Sequence, residues 1–206
     1  MNRLVMTPET FDAQMRTLSD AGWHTITLGK LAGDLATEVT PPAHTFVVTI
    51  DDGWWDGYTY AYPILARYGF VATFFVIGGR IGQPSFLSPA QILSLVQAGN
   101  EIGDHTWHHA TLTGLQPKPL ASEIDSGAAM IAAVTGSWPV TLAYPRGKTD
   151  TQVIAAVAAC KPLQMAVVEG GGRPQTWANR YDISRLEVWP NVSGYDLLVR
   201  VRGLEG

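Results

Sequence analysis

An α/β fold built on parallel strands follows from three observations. Apolar strand-like segments alternate with helix-like ones along the chain, no glycine-rich phosphate loop follows any strand, and the prominent polar residues gather at three strand ends. Alternation is the mark of crossover connections, whose solutions are an open doubly wound sheet or a barrel. The missing phosphate loop argues against a nucleotide-binding sheet. In a barrel, chemistry collects at the C-terminal ends of the strands.

The elements follow in order. "TPETFDAQMRTLSDAG" opens with a Thr-Pro-Glu helix start, carries Phe11, Met15 and Leu18 at helical spacing and stops at Gly22. "WHTITL" reads as a strand, Leu31 to Leu35 as a short helical piece, Pro41 and Pro42 as a loop, and "TFVVTI" as a strand. Two acids, Asp51 and Asp52, come next. "YTYAYPILARYG" is a helix despite Pro63, and "VATFFVIG" a strongly apolar strand. "SPAQILSLVQAG" has Ser88 as cap, Pro89 in the first turn and Gly99 as stop. "EIGDH" is a strand, "KPLASEIDSGAAMIAAVTG" a helix, "TLAYP" a strand and "TDTQVIAAVAAC" a helix. "LQMAVVEG" and "ISRLEV" are strands, and "GYDLLVRVRG" closes the chain as a helix. The total is about seven strands, with no repeat, low-complexity tract or linker-like shift in composition.

Of 206 residues, 46% are hydrophobic and 16% charged, which suits one domain, spanning residues 1–206, with one sizeable core. Fourteen Lys and Arg against 18 Asp and Glu give a net charge of −4, with no basic cluster, so nucleic acid is not an expected partner. The lone Cys160, in "VIAAVAACK", reads as a small buried helix residue and says nothing about export. No apolar run approaches the ~20 residues of a transmembrane segment, and "MNRLVMTPETF" lacks the apolar core of a signal peptide. Localisation and oligomeric state are left open.

Three strand ends carry the polar residues: "TIDDG", "EIGDHTWHH" and "AYPRG". His105 and His109 stand four apart and would share a face on a helical turn. Such a pair is weak evidence alone; joined to an acid pair it becomes a two-histidine, one-carboxylate set, which suits zinc and leaves a position open for water, although other divalent metals fit. The second acid then has a task, because the attacking water must lose a proton. Neighbouring strand side chains face opposite ways, so both acids reach one site only if the backbone turns between them, for which Gly53 is suitably placed.

At these residues the chain resembles the polysaccharide deacetylase family, carbohydrate esterase family 4 or NodB-homology domain, from about Phe11 to Val188. The first family motif, Thr-Phe-Asp-Asp-Gly, corresponds to Thr49, Ile50, Asp51, Asp52 and Gly53, and the second to "EIGDHTWHH". The resemblance implies a distorted (β/α) barrel, Asp51 as general base, and Asp52, His105 and His109 as ligands of a divalent metal, most simply zinc. It implies hydrolysis of acetyl groups from carbohydrate, usually N-acetylglucosamine in chitin, peptidoglycan or an exopolysaccharide, and work outside the cytoplasm or in the cell envelope.

Departures from the family are equally informative. The third motif, Arg-x-Pro-Tyr-Gly, becomes Ala143, Tyr144, Pro145, Arg146 and Gly147, so the arginine that orients the base is missing, while the backbone N–H of Arg146 keeps the oxyanion role. "VVEGGG", with Glu169, stands where the fourth motif would be, and the fifth, source of the general acid, is absent. These features are similar to the poly-N-acetylglucosamine deacetylase branch. Arg185 of "ISRLEV" is expected to reach Asp51 in place of the missing arginine. The general acid is unassigned, His108 being the one candidate substitute.

Alternatives stay open: a relative cutting another non-peptide C–N bond or an O-acetyl ester, or a carbohydrate-binding domain without turnover. Asp104 reads equally as a partner of a metal-bound imidazole or as a loop cap. Trp54, Trp55 and Trp107 are candidates for stacking on sugar or for core packing, and of the adjacent pair at least one is expected to be exposed. Tyr58 and Tyr60 are candidates for the same rim, and Arg173, Trp177 and Arg180 for a loop that is solvated by default.

Overall fold

The computed structural model describes residues 6–171 and 175–203. Seven α-helices and eight strands follow one another as α1 Pro8–Asp20, β1 His24–Thr25, α2 Leu28–Ala36, β2 Thr45–Phe46, β3 Val48–Ile50, α3 Tyr62–Arg67, β4 Ala72–Val76, α4 Pro89–Gln97, β5 Glu101–Asp104, α5 Pro117–Thr135, β6 Thr141–Ala143, α6 Thr151–Ala159, β7 Met165–Glu169, β8 Ile183–Arg185 and α7 Gly194–Arg202. Strands β3 to β8 form one parallel sheet in sequence order, and β1 pairs with β2 in a separate parallel ribbon. Six strands thus carry the barrel-like sheet.

Side-chain alternation explains why the strands read as continuous apolar runs. In β4, Phe74 packs into an outer cluster with Ile64, Leu65, Ile92 and Leu95, while Phe75 points into an inner cluster with Ala143, Met165, Val167 and Ile183. In β7, Ala166 and Val168 face outward toward Val153 and Val157 of α6, while Met165 and Val167 face inward. Both faces are covered, which is what a sheet with crossover helices requires.

The interior is plugged by α2, whose Leu28 and Ala32 are buried in the inner cluster. Glu101, at the start of β5, anchors this plug. Its carboxylate accepts from the Gly29 N–H at 2.7 Å, the Thr73 hydroxyl at 3.0 Å and the Thr141 hydroxyl at 2.6 Å, and Thr73 in turn accepts from the Leu28 N–H at 2.9 Å. A Cβ at Gly29 would lie 3.0 Å from the Glu101 carboxylate, so the close approach uses the glycine. The plug occupies the N-terminal ends of the strands, leaving their C-terminal ends for chemistry.

Helix starts follow the residues that cap them. Thr7, Thr27, Ser88, Asp150 and Ser193 each accept an N–H of the first turn, and Ser88 with Gln91 forms a reciprocal capping box. The "WHTITL" strand shrinks to two residues because Thr27 is spent as the cap of α2, which begins at Leu28 rather than Leu31. "TFVVTI" splits at Val47, since its first half pairs with β1 and its second with β4. The helix across Pro63 opens with a π turn, Gly57–Ala61, in which the Tyr62 N–H donates to the Gly57 carbonyl; proline lacks an N–H, and the widened turn accommodates that loss. Cys160 lies just beyond α6, half-buried, its thiol donating to Asp125, and burial with that acid pushes its pKa up to about 12.

Candidate active site

Strand β3 ends at Ile50, and the chain then turns sharply at Asp52 with φ 71° and Gly53 with φ 73°. The turn centres on the second acid itself, not on the glycine alone. A non-glycine residue held at positive φ is uncommon, and such strain collects at functional sites. The kink sends the two carboxylates to one side of the strand end, as the alternation of an unbroken strand would not.

The histidines reach the same place by a loop. Residues 105–109 are not helical; Thr106 and His109 adopt φ 65° and 61°, and the two imidazole centroids lie 4.8 Å apart. The two rings converge without the helical turn that a four-residue spacing would allow, because side-chain and backbone bonds fix a bend instead. Asp104 accepts the Thr106 N–H at 2.9 Å, and the Thr106 hydroxyl accepts the His109 N–H at 3.2 Å. From α5, Glu123 receives the Trp107 N–H on its carbonyl at 2.8 Å and the His108 N–H on its carboxylate at 2.9 Å.

Asp104 therefore acts as a loop cap and touches neither imidazole. It is fully buried, and burial drives its carboxyl well above the ordinary carboxylate range. Gly127 of α5 leaves it room, since a Cβ there would fall 2.3 Å from the Asp104 oxygen. His108 points away from the site: its Nδ1 donates to Glu123 at 2.6 Å and its side chain is largely in solvent. As a substitute general acid it is misplaced, because His105 and His109 turn toward Asp52 while His108 turns out to Glu123 and solvent.

Asp52, His105 and His109 bring one ligand atom each to within 4.8 Å of one another. Asp52 Oδ1 is 3.4 Å from His105 Nε2 and 3.6 Å from His109 Nε2. Donors about 2.0–2.1 Å from a tetrahedral zinc stand about 3.4 Å apart, which the two Asp52–imidazole distances match. His105 Nδ1 lies 2.7 Å from the Ala143 carbonyl, which only accepts, so Nδ1 carries the proton and Nε2 is left as a lone-pair donor. The neighbouring His105 ring is the leading cause that holds the Asp52 carboxyl below its ordinary value, and burial, helped by His105, pulls His109 down. Both shifts keep the set in its ligand-competent form.

Beside this group, Arg185 of β8 meets Asp51 in a two-pronged pair, Nη1 to Oδ1 and Nη2 to Oδ2, each at 2.7 Å, and Nη1 also donates to Thr49 at 3.0 Å. Burial works against a charged Asp51, but the bonds and charge of Arg185 outweigh it and hold the carboxyl low. Arg146 sits in the Pro145–Gly147 turn after β6 at φ 59°, its side chain exposed and its charge felt by His109. Glu169 ends β7 and is exposed.

The surrounding aromatics divide. Trp54 and Trp55 are both exposed, at 44% and 43%, as is Tyr60. Trp107 packs over Gly78 and Gly79, and Tyr58 stacks on Tyr62 and donates to Ser94, so both serve packing. Arg180 is sandwiched between the rings of Trp177 and Tyr181, 4.5 and 4.7 Å from their centroids, while Arg173 lies outside the described residues. The Trp54 contact with Asp52, an indole Nε1 donating to Oδ2 at 3.2 Å, has no signal in the sequence beyond a separation of two residues.

A plugged, curled parallel α/β half-barrel with two imidazoles, two carboxylates and a guanidinium at its strand ends is an arrangement suited to hydrolysis, and one that could hold a metal ion. The sequence matches the polysaccharide deacetylase family over residues 38–164, and the chain belongs to that family. It is 31% identical over 193 residues to YxkH of Bacillus subtilis strain 168, a protein assigned to the polysaccharide deacetylases, covering 94% of this chain and 69% of YxkH. With the peptidoglycan-N-acetylmuramic acid deacetylase PdaC of the same organism it shares 27% identity over 69% of this chain but only 28% of PdaC, so the chain spans under a third of that relative. Among solved structures, the Streptococcus pyogenes deacetylase PplD in complex with acetate superposes with a TM-score of 0.91 at 25% identity, covering 100% of this chain and 90% of that one.

Proposed function

We propose that this protein is a metal-dependent hydrolase that removes acetyl groups from N-acetylglucosamine-containing polysaccharide. Its family makes it a carbohydrate deacetylase. The observation that carries the finer reading is the convergence of Asp52, His105 and His109 beside an Asp51 gripped at both oxygens by Arg185.

Asp52 with the two imidazoles would hold the ion, and zinc suits two nitrogens and one oxygen. A divalent ion held there supplies a Lewis acid and acidifies water near neutral pH. Asp51, kept ionised by Arg185, accepts the proton of the attacking water as general base. Arg185 fixes the direction of that carboxylate, and the Arg146 backbone N–H donates to the negative charge that develops on the acetyl oxygen. His105 is kept in its donor tautomer by the Ala143 carbonyl.

The substrate class is supported by the relatives: PdaC is named for peptidoglycan, and PplD was solved with acetate, the product of such a reaction. A polymer of that kind fits work in the cell envelope or outside the cell. The test is acetate release from N-acetylglucosamine oligomers, abolished by chelation or Asp51→Asn and restored to the chelated enzyme by zinc. Absence of release from N-acetylated oligomers, with release from O-acetylated xylan, would redirect the reading to esters.

A further inference from the structure

Two features of Trp54 meet at one ring. Its indole Nε1 donates to Oδ2 of Asp52 at 3.2 Å, while Oδ1 of the same carboxylate is the atom facing both imidazoles. Its ring lies flat on Phe86, centroids 4.3 Å apart and planes 21° apart, and the Arg80 guanidinium covers Phe86 5.7 Å from that ring's centroid. The Arg80–Phe86–Trp54 stack ends at Trp54, which is 44% exposed although one ring face is covered.

The local backbone builds this arrangement. Residues 54 and 86 form an isolated antiparallel bridge, with the Trp55 N–H donating to the Ser85 carbonyl at 3.0 Å and the Leu87 N–H to the Gly53 carbonyl at 2.9 Å. The loop that follows β4 is thus tied directly to the kink that carries Asp52. Asp52 and Trp54, two residues apart, would share a face of an extended strand with their side chains side by side; the turn at Asp52 and Gly53, both at positive φ, instead bends the chain so that the indole N–H meets Oδ2.

We propose that Trp54 has two roles: its N–H holds Oδ2 of Asp52 so that Oδ1 is the coordinating oxygen, and its open face is the platform on which a sugar ring of the substrate stacks. A pyranose presents a face of axial C–H groups, which suits the electron-rich face of an indole, and a ring fixed from behind by Phe86 loses little freedom on binding. Trp55 and Tyr60, exposed and 5.7 Å apart between centroids, extend the aromatic surface from the same turn, which fits a substrate longer than one sugar. The positioning role rests on Asp52 being a metal ligand, as proposed above.

Two variants of the full chain separate the roles, with Asp52→Ala as reference. Trp54→Phe keeps an aromatic face and deletes the N–H; Trp54→Ala deletes both. Zinc affinity, read by competition with a chromophoric chelator, is expected to fall about tenfold in both, in the range seen for partners of metal ligands. With zinc in excess, Trp54→Ala is expected to raise KM for an N-acetylglucosamine oligomer severalfold above that of Trp54→Phe. Wild-type zinc affinity in Trp54→Phe overturns the positioning role, and equal KM in the two variants overturns the platform. Circular dichroism confirms that each variant is folded, and Trp54→Leu, which also lacks an aromatic face and an N–H, replaces Trp54→Ala if the latter is not. Asp52→Ala that still binds zinc would overturn the metal assignment itself, an outcome distinct from either failure at Trp54.

Discussion

Arg185 and Asp51 face each other across the two ends of the sheet: β8 and β3 are its outermost strands, yet their side chains join through two bonds of 2.7 Å. The same guanidinium lies over the Phe75 ring, 5.8 Å from its centroid, in the barrel interior. A planar fork fits this pairing where a point charge does not. Arg185→Ala is expected to lower kcat/KM about 10- to 100-fold, a share of what a positioned base contributes, and Arg185→Lys to fall between. Because Arg185 lowers the Asp51 pKa, its removal moves the acidic limb of the pH–rate profile to higher pH. An unmoved limb would separate Arg185 from the base.

Acid stability follows from the same pair. Asp51 has its folded-state pKa depressed below 3.8, so its contribution is complete above the unfolded value and is lost as pH falls through the folded one. In metal-free protein, the melting-temperature gap between wild type and Arg185→Ala is expected at pH 6 and to close below pH about 3.8. A gap constant with pH would point to packing over Phe75 as its source.

His109 is displaced in the direction that favours coordination. With its pKa lowered from 6.5 by burial and by His105, it stays neutral to lower pH than a free imidazole. Proton NMR of the metal-free protein should show one imidazole titrating below that value. A His109 that titrates above it would contradict the burial argument.

Glu123 is expected to matter more than His108, although only the latter looks like a catalytic residue in the sequence. Glu123→Ala removes the acceptors for the His108 N–H and ring, at a cost of about 1.5–3 kcal/mol for bonds to a charged group, and loosens the loop carrying both imidazoles. Lower melting temperature together with weaker zinc binding is the expected result. His108→Gln should keep kcat within about threefold, since surface substitutions of this kind perturb little; loss of turnover there would make His108 the missing acid.

At the opposite end of the barrel, Glu101→Ala leaves the Thr73 and Thr141 hydroxyls and the Gly29 N–H without their acceptor. Destabilisation of about 2–4 kcal/mol is expected by denaturant titration, from unsatisfied buried donors. Zinc stoichiometry should be unchanged, because the plug and the site lie at opposite strand ends.

Much of this architecture is legible in the sequence where local chemistry decides it. The Ser88 and Thr7 caps, the stop at Gly136 with φ 77°, and the doubly apolar strands β4 and β7 all follow from residue types and spacing. Thr27 reads as strand in the sequence because its capping bond depends on which turn follows. The bend at His105 is not legible because a spacing of four does not distinguish a helical turn from a bend held by Asp104, Thr106 and Glu123, and Glu123 is 15 residues away from His108 in sequence. The Trp54 bond to Asp52 depends on positive backbone angles at residues that are not obliged to adopt them.

Ala143 occupies the place of the family's orienting arginine, and it is fully buried in the inner cluster with Phe75, the ring beneath Arg185. What this strand end contributes is a main-chain carbonyl to His105, a contribution indifferent to side-chain identity. If a guanidinium on β6 reached the place that Arg185 takes over Phe75, the two positions would compete for it. Relatives of this chain should therefore carry arginine at one of the two positions, 143 or 185, and seldom at both. Ala143→Arg alone would crowd two cations above Phe75, whereas Ala143→Arg with Arg185→Ala would recover part of the activity that Arg185→Ala loses, as competition for one place requires.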